Sequence, residues 1–343
     1  MATGSGLDAQ LMVGTESTWG TAVTPDHAYE FNDEGLKLDP SFLEPTGLRA
    51  GQKYKRASRV SISRRSVSGD ITLEHSTKGM GLLWKHALGS SVSTPTTLTS
   101  PATEQVHTPG DFRGKGLTIQ VGRPEPATGT VRPFTYAGCK VSQWELTVSD
   151  NAIPTLKLTL DGRSEDTATA LAAASYPSGA KVFTFAKATL TLGGTAATAS
   201  GKTTVTGGTA VATVVTEVSV QGAAPMATDR YGIGNSGLKS EQLENDTPTI
   251  TGSLNAEFSK SELYDHFTAN DTLPLVLTLT GDPIGASGSN DLVEVILPAV
   301  KLKSASPNVG GPDIVSMSTD FEAYSDESNP PIQVRIVSGD ATL

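Results

Sequence analysis

The chain of 343 residues carries one cysteine, Cys139, so no internal disulfide can form and nothing points to an oxidising compartment. Cys139 sits in a strand-like stretch and reads as a small core residue. No apolar run approaches the roughly 18 residues needed to span a bilayer. The start, MATGSGLDAQLMVG, has neither the basic n-region nor the apolar h-region of a secretory signal, so the expectation is a protein that folds in the cytoplasm. Reactive constellations are missing too. His27, His75, His86, His107 and His266 form no H-E-x-x-H, and a lone cysteine builds no thiolate zinc site. GGTAATASGKTT has Ala196 where a phosphate loop needs glycine, and no helical pattern follows it. Asp26, Glu30, Asp33 and Glu34 lack the glycine and spacing of a calcium loop and read as a solvated face. There is no G-x-S-x-G elbow. The expectation is no catalytic residue, no cofactor-binding residue and no metal ligand: a structural protein and not an enzyme.

What is present is strand and turn chemistry. Thr, Ser, Val and Ala are punctuated by 35 Gly and 20 Pro, a composition of many short strands, and the length suits two domains. The net charge of −10 is unevenly spread: up to Ser175 there are 17 basic and 18 acidic residues, and beyond it 9 and 18. An acidic chain repels phosphate, which argues against tight nucleic-acid binding.

One unit occurs twice. In GDITLEHSTKGMGLLWKHAL (Gly69 to Leu88), Ile71 and Leu73 alternate with Thr72 and Glu74 as in a strand. Met80, Leu83, Trp84 and Leu88 then follow helical spacing. In GSLNAEFSKSELYDHFTA (Gly252 to Ala269), Leu254, Ala256 and Phe258 take the strand role, and Leu263, Tyr264 and Phe267 the helical one. Ser259 and Glu262 have capping-box spacing, and Ser76 or Thr77 is the expected cap of the first helix. The copies lie 183 residues apart at Gly69/Gly252 and Trp84/Phe267. Upstream, Leu36 and Leu38 fall opposite Val218 and Val220 at 182. Downstream, Leu156, Leu158 and Asp161 fall opposite Val315, Met317 and Asp320 at 159. A drifting but ordered offset is that of a duplicated domain with unequal loops.

Between these units lie four segments that read as arms. They are the N-terminal stretch with a short strand at Gln10 to Val13, the Ser/Thr/Pro loop 90–116, a Thr/Gly ribbon 187–215, and the tail after Pro330-Pro331. The ribbon's Gly193-Gly194 and Gly207-Gly208 read as successive hairpin turns, with the ribbon protruding. KYKRASRVSISRR (Lys53 to Arg65) sets basic residues around alternating Val60 and Ile62. It reads either as a solvated strand face or as a surface that meets the acidic TDRYGIGNSGLKSEQLENDT of another subunit. Thr167 to Ala180 is the linker between halves.

VGTESTWGTAVTP (Val13 to Pro25), SGDITLEHSTKGMGLLWKHALGS (Ser68 to Ser90) and the two-fold arrangement resemble the tail tube proteins of long-tailed, non-contractile bacteriophages, of the duplicated tube-domain type. The resemblance implies a mainly β fold: two tandem β-sandwich or barrel domains, each with one short flanking α-helix, plus extended arms and a β-ribbon insertion. It implies domains at 1–175 (with the N-terminal arm) and 176–343 (with the ribbon and C-terminal tail). The implied role is a virion protein that self-assembles into stacked rings. These form a hollow tail tube around a tape-measure protein, closed by a tail terminator and assembled in the host cytoplasm, with no membrane partner. DNA passes through without specific binding. A trimer with pseudo-sixfold symmetry is favoured over a hexamer. The competing readings are a phage adhesin or baseplate module that recognises a host surface, and a hydrolase on a β scaffold.

Overall fold

The computed structural model describes residues 4–343 except 93, 212 and 213, so small parts of the expected N-terminal arm, long loop and ribbon lie outside the described residues. In the first half, β1 (Gln10–Glu16), β2 (His27–Tyr29), β3 (Asp33–Glu34) and β4 (Lys37–Leu43) lead into the long β5 (Ser61–Glu74) and α1 (Gly81–Ala87). Then come β6 (Thr96–Thr97), β7 (Thr103–His107), β8 (Gly116–Glu125), the 20-residue β9 (Thr130–Ser149), β10 (Thr155–Gly162) and β11 (Ser164–Asp166). The second half runs β12 (Ala188–Leu192), β13 (Thr195–Ala199), β14 (Lys202–Thr206), β15 (Thr209–Ala210), β16 (Val215–Ala223), β17 (Thr249–Glu257) and α2 (Glu262–Ala269). It closes with β18 (Leu273–Pro283), β19 (Asn290–Leu302), β20 (Ser316–Ala323) and β21 (Gln333–Ser338). The fold is mainly β, with large antiparallel sheets that do not close into a barrel.

Strand β9 organises the first half because it belongs to two sheets. Its N-terminal part pairs with β8 and β11, and its C-terminal part with β10 and β16. The turn from one sheet to the other falls at Gly138, whose φ of +65° is in the left-handed region that favours glycine, and a register shift accompanies it. The corner is pinned by Glu16. Its carboxylate accepts from the Gly138 amide (2.8 Å), the Gly20 amide (2.6 Å) and the Thr118 hydroxyl (3.0 Å). Burial pushes the Glu16 carboxyl pKa up, and these three donors work against that.

The two sheets of the first half enclose a core. Leu11 and Val13 (β1) with Leu117 and Ile119 (β8) face Ile71 and Leu73 (β5) and Leu158 and Leu160 (β10), and Leu83 of α1 closes the space. The core runs on without a break into the second half through Trp84, Trp144, Phe183, Val220, Leu277 and Phe321. Trp84 meets Trp144 edge to face at 5.1 Å, so α1 is anchored on β9 at the point where the two halves meet.

Several expectations need correction. Ser76 and Thr77 do not cap α1. Helix entry is at Met80 without a side-chain cap, while Ser76 donates to Lys181 O and Thr77 accepts from Lys181 N, fastening the linker instead. The Ser259/Glu262 box does not form either: Ser261 stands at the start of α2 and its hydroxyl donates to Asp265. His86, which the helical pattern puts on a polar face, is buried, because α1 is covered on more than one side. FTYAGCKV and WELTVS lie in one bent strand, and Pro40 lies within β4.

Among the described residues each of the four expected arms is docked on the body over at least part of its length. β1 is interior, paired with both β2 and β8, because Leu11, Met12 and Val13 have no other apolar surface to bury against. β7, from the long loop, pairs with β21 of the tail, and β21 pairs on its other side with β19. The β13–β14 hairpin turns at Ser200-Gly201, with the two Gly-Gly pairs at its base. It lies against the body: Gln333 both accepts from Thr203 N (2.6 Å) and donates to Thr203 O (3.0 Å).

Candidate functional site: a polar sheet face between two open edges

The ladder order β4-β5-β10-β9 continues directly into β16-β17-β20-β19, every neighbour antiparallel. Each set of four is made the same way: an edge strand, a long strand, a helix crossing, then the bent strand and its return. With Gly69 set against Gly252, the ladders place Leu36 opposite Val220 and Leu158 opposite Thr319. These correspondences lie two residues from those drawn on sequence alone. An even slip leaves every side chain on its own face, so alternation in the sequence could not detect it.

The strands explain the seam. Val218 and Val220 of β16 and Leu146 and Val148 of β9 turn inward, and the ladder runs from Glu217↔Ser149 to Ala223↔Gln143. The opposite face is polar on every strand, with Asp70, Thr72 and Glu74 on β5, Lys157 and Thr159 on β10 and Glu145 and Thr147 on β9. It continues through Glu217 and Ser219 on β16, Ser253, Asn255 and Glu257 on β17, and Ser318, Asp320 and Glu322 on β20. Lys157 pairs with Asp70 (2.9 Å) and Lys303 with Glu322 (2.9 Å). Glu74, Glu145, Glu217 and Glu257 have no lysine or arginine within ion-pair distance among the described residues. The face is therefore a shallow polar surface of negative sign.

At the seam, residues 224–248 fold over the first half. Lys239, 1% exposed, holds both Asp161 oxygens (2.6 and 2.9 Å). Lys140, also buried, donates to Glu241 (2.7 Å), to Gln242 O and to Phe112 O, and burial lowers its pKa. Gln242 donates to Gly138 O, Arg65 N donates to Gly237 O, and the Arg64 guanidinium lies 4.8 Å from the Tyr231 ring. The basic stretch and the acidic one thus meet inside one chain, through backbone and ring contacts and, among the described residues, without an ion pair between them. The alternation at Val60 and Ile62 buries nothing, since both are exposed.

Two edges stay open. Among the described residues β4 pairs only with β5; at the other end β19 stops at Leu302, and residues 303–311, irregular apart from a single Asn308↔Ser316 bridge to β20, have no strand on their far side. At the end of β4 and just beyond it the chain carries exposed Phe42, Leu43, Leu48 and Tyr54. Sequence reasoning missed this segment. The signal available was the density of large apolar residues in a stretch that also contains Pro40, Pro45 and six basic side chains between Lys53 and Arg65.

The histidines are scattered. His75 accepts from the Trp84 indole, His86 contacts the Thr15 hydroxyl, His107 contacts Gln105, and His27 and His266 pair with Asp26 and Asp271. Among the described residues no group of three His, Cys, Asp or Glu is placed to hold a metal. Cys139 is fully buried, which raises its thiol pKa well above the usual range.

A search among curated proteins returned no match. A scan against protein families matches residues 6–323 to the phage tail tube protein family. That span includes all eight strands of the seamed sheet, both helices and the bent strands at the corners. With a mainly β fold and nearly the whole chain matched, this protein belongs to the phage tail tube protein family, structural components of the virion tail.

Proposed function

We propose that copies of this chain join edge to edge into rings, and that the rings stack into the hollow tube through which phage DNA is delivered. The seam between β9 and β16 is the observation that carries this. It joins two four-strand sets whose outer members are β4, open on its side away from β5, and the segment following β19, the counterparts of the two strands that meet at the seam. Sheet continuation removes both open edges at once. The chain is then two tube domains, 1–175 and 176–343, in tandem.

Strand geometry favours three copies. Three eight-strand sheets spaced about 4.8 Å and tilted about 40° close at a backbone diameter of roughly 50 Å, whereas six copies need roughly 95 Å. The smaller ring leaves a bore suited to one duplex. The polar face with Glu74, Glu145, Glu217 and Glu257 lines it and repels phosphate, so DNA slides without binding. The tape-measure protein fills the bore before DNA does, a terminator caps the last ring, and assembly takes place in the host cytoplasm.

Electron microscopy of the purified protein in negative stain tests this. Uniform hollow tubes or stacked rings with threefold and approximate sixfold symmetry are expected. Isolated particles that bind host glycans would replace the tube reading with that of an adhesin.

A further inference from the structure

We propose that the loop between β4 and β5 (residues 44–60) is a clasp that closes over the second half of an adjoining copy, as residues 224–248 close over the first half of their own chain. This rests on the ring reading and names the contact that locks neighbouring subunits.

The seat of the existing clasp recurs. In the first half Lys140 and Asp161 are direct cross-strand partners on β9 and β10, one position from the Val141↔Leu160 pair. In the second half Lys301 and Glu322 are direct partners on β19 and β20, one position from the Leu302↔Phe321 pair. The same pair of charges stands at the same place in the ladder. Under residues 224–248 the first pair is engaged by the opposite charges Glu241 and Lys239, and Lys140 is 2% exposed. The second pair is only partly filled: Glu322 is held by Lys303 (2.9 Å) and the Tyr324 hydroxyl (2.6 Å) while its side chain stays 28% exposed, and Lys301 reaches Asn270 but no carboxylate among the described residues.

The loop that corresponds to the clasp is residues 44–60, because β4-β5 occupies the place of β16-β17. It holds the charges this seat calls for, Glu44 for Lys301 and Lys53 or Lys55 for Glu322. Within the chain Lys55 and Glu44 pair with each other at the surface, and Lys53 has no carboxylate within ion-pair distance among the described residues. Leu48 and Tyr54 are almost fully exposed there, whereas the occupied clasp has its lysine buried. An exposed apolar loop with solvent-exposed charges of both signs, corresponding by topology to the clasp of a seat that no clasp covers in the single chain, fits a second copy of this chain.

The test uses assembled protein made from a mixture of isotopically heavy and light chains, treated with a zero-length carbodiimide and digested for mass spectrometry. Expected are heavy–light isopeptide links from Lys53 or Lys55 to Glu322. Assemblies whose loop links fall only within one chain, or on other peptides, overturn the clasp and leave the tube reading standing. A protein that never assembles overturns both. As a second measurement, K53E/K55E should raise the concentration needed for assembly at least tenfold, and adding E322K should recover most of that loss. A triple variant no better than the double overturns the pairing.

Discussion

The buried histidine next to α1 gives a quantitative expectation. The Trp84 indole N–H donates to His75 Nε2 at 2.9 Å, so that nitrogen is unprotonated, and Nδ1 carries the hydrogen and donates to Ser76 O at 3.1 Å. Protonation would set N–H against N–H inside the core. Burial accordingly lowers the His75 pKa from 6.5 to about 4. The unfolded chain takes up the proton first, so this contribution is complete above about pH 6.5 and is lost as pH falls toward 4. At about 1.4 kcal/mol per pH unit the loss is roughly 3 kcal/mol, a large share of the stability of an ordinary domain. His75→Gln keeps an acceptor for Trp84 but cannot titrate. Urea unfolding of dilute, unassembled protein, followed by tryptophan fluorescence between about pH 7 and pH 4, should show the variant's pH dependence flatter than wild type by that amount. Some slope will remain, since burial pushes both His86 and His107 down to about 3. Parallel curves for the two proteins would refute the assignment.

Three further outcomes follow from the same structure. Lys239→Met strands the Asp161 carboxylate under residues 224–248 and should cost about 3–5 kcal/mol, read in urea, with faster amide exchange concentrated in that segment. At Gly252 an added Cβ would collide with the Ser219 carbonyl and the Phe321 ring, so Gly252→Ala should lower stability by at least about 2 kcal/mol; an unchanged urea midpoint would contradict the packing. Replacing Glu74, Glu145, Glu217 and Glu257 together by Lys reverses the sign of the polar face while sparing the core. Tubes should still form but retain duplex DNA, with retention falling steeply between about 50 and 200 mM salt in fluorescence anisotropy; tubes indifferent to DNA would place that face outside the bore.

Much of the framework was legible in the chain itself. Alternation at Ile71 and Leu73, at Leu156, Leu158 and Leu160, and at Leu254 and Ala256 fixes strands with one buried face, because the side-chain period of a strand is two. The switch to helical spacing at Leu83-Trp84 and Leu263 fixes both helices.

Tertiary structure alone decided which segments are free. Pairing partners lie more than a hundred residues away, as with β7 and β21 or Gln333 and Thr203, and local pattern carries no information about them. So the segments that read as arms proved to be docked, and an unremarked loop proved to be exposed. The same holds for register: a slip of two residues preserves every inside-outside assignment, so only the hydrogen-bond ladder could show that Lys140–Asp161 and Lys301–Glu322 are counterparts. Sequence determined the faces of the strands; the fold determined which edges meet, because edge pairing is set by backbone groups that are alike in every residue.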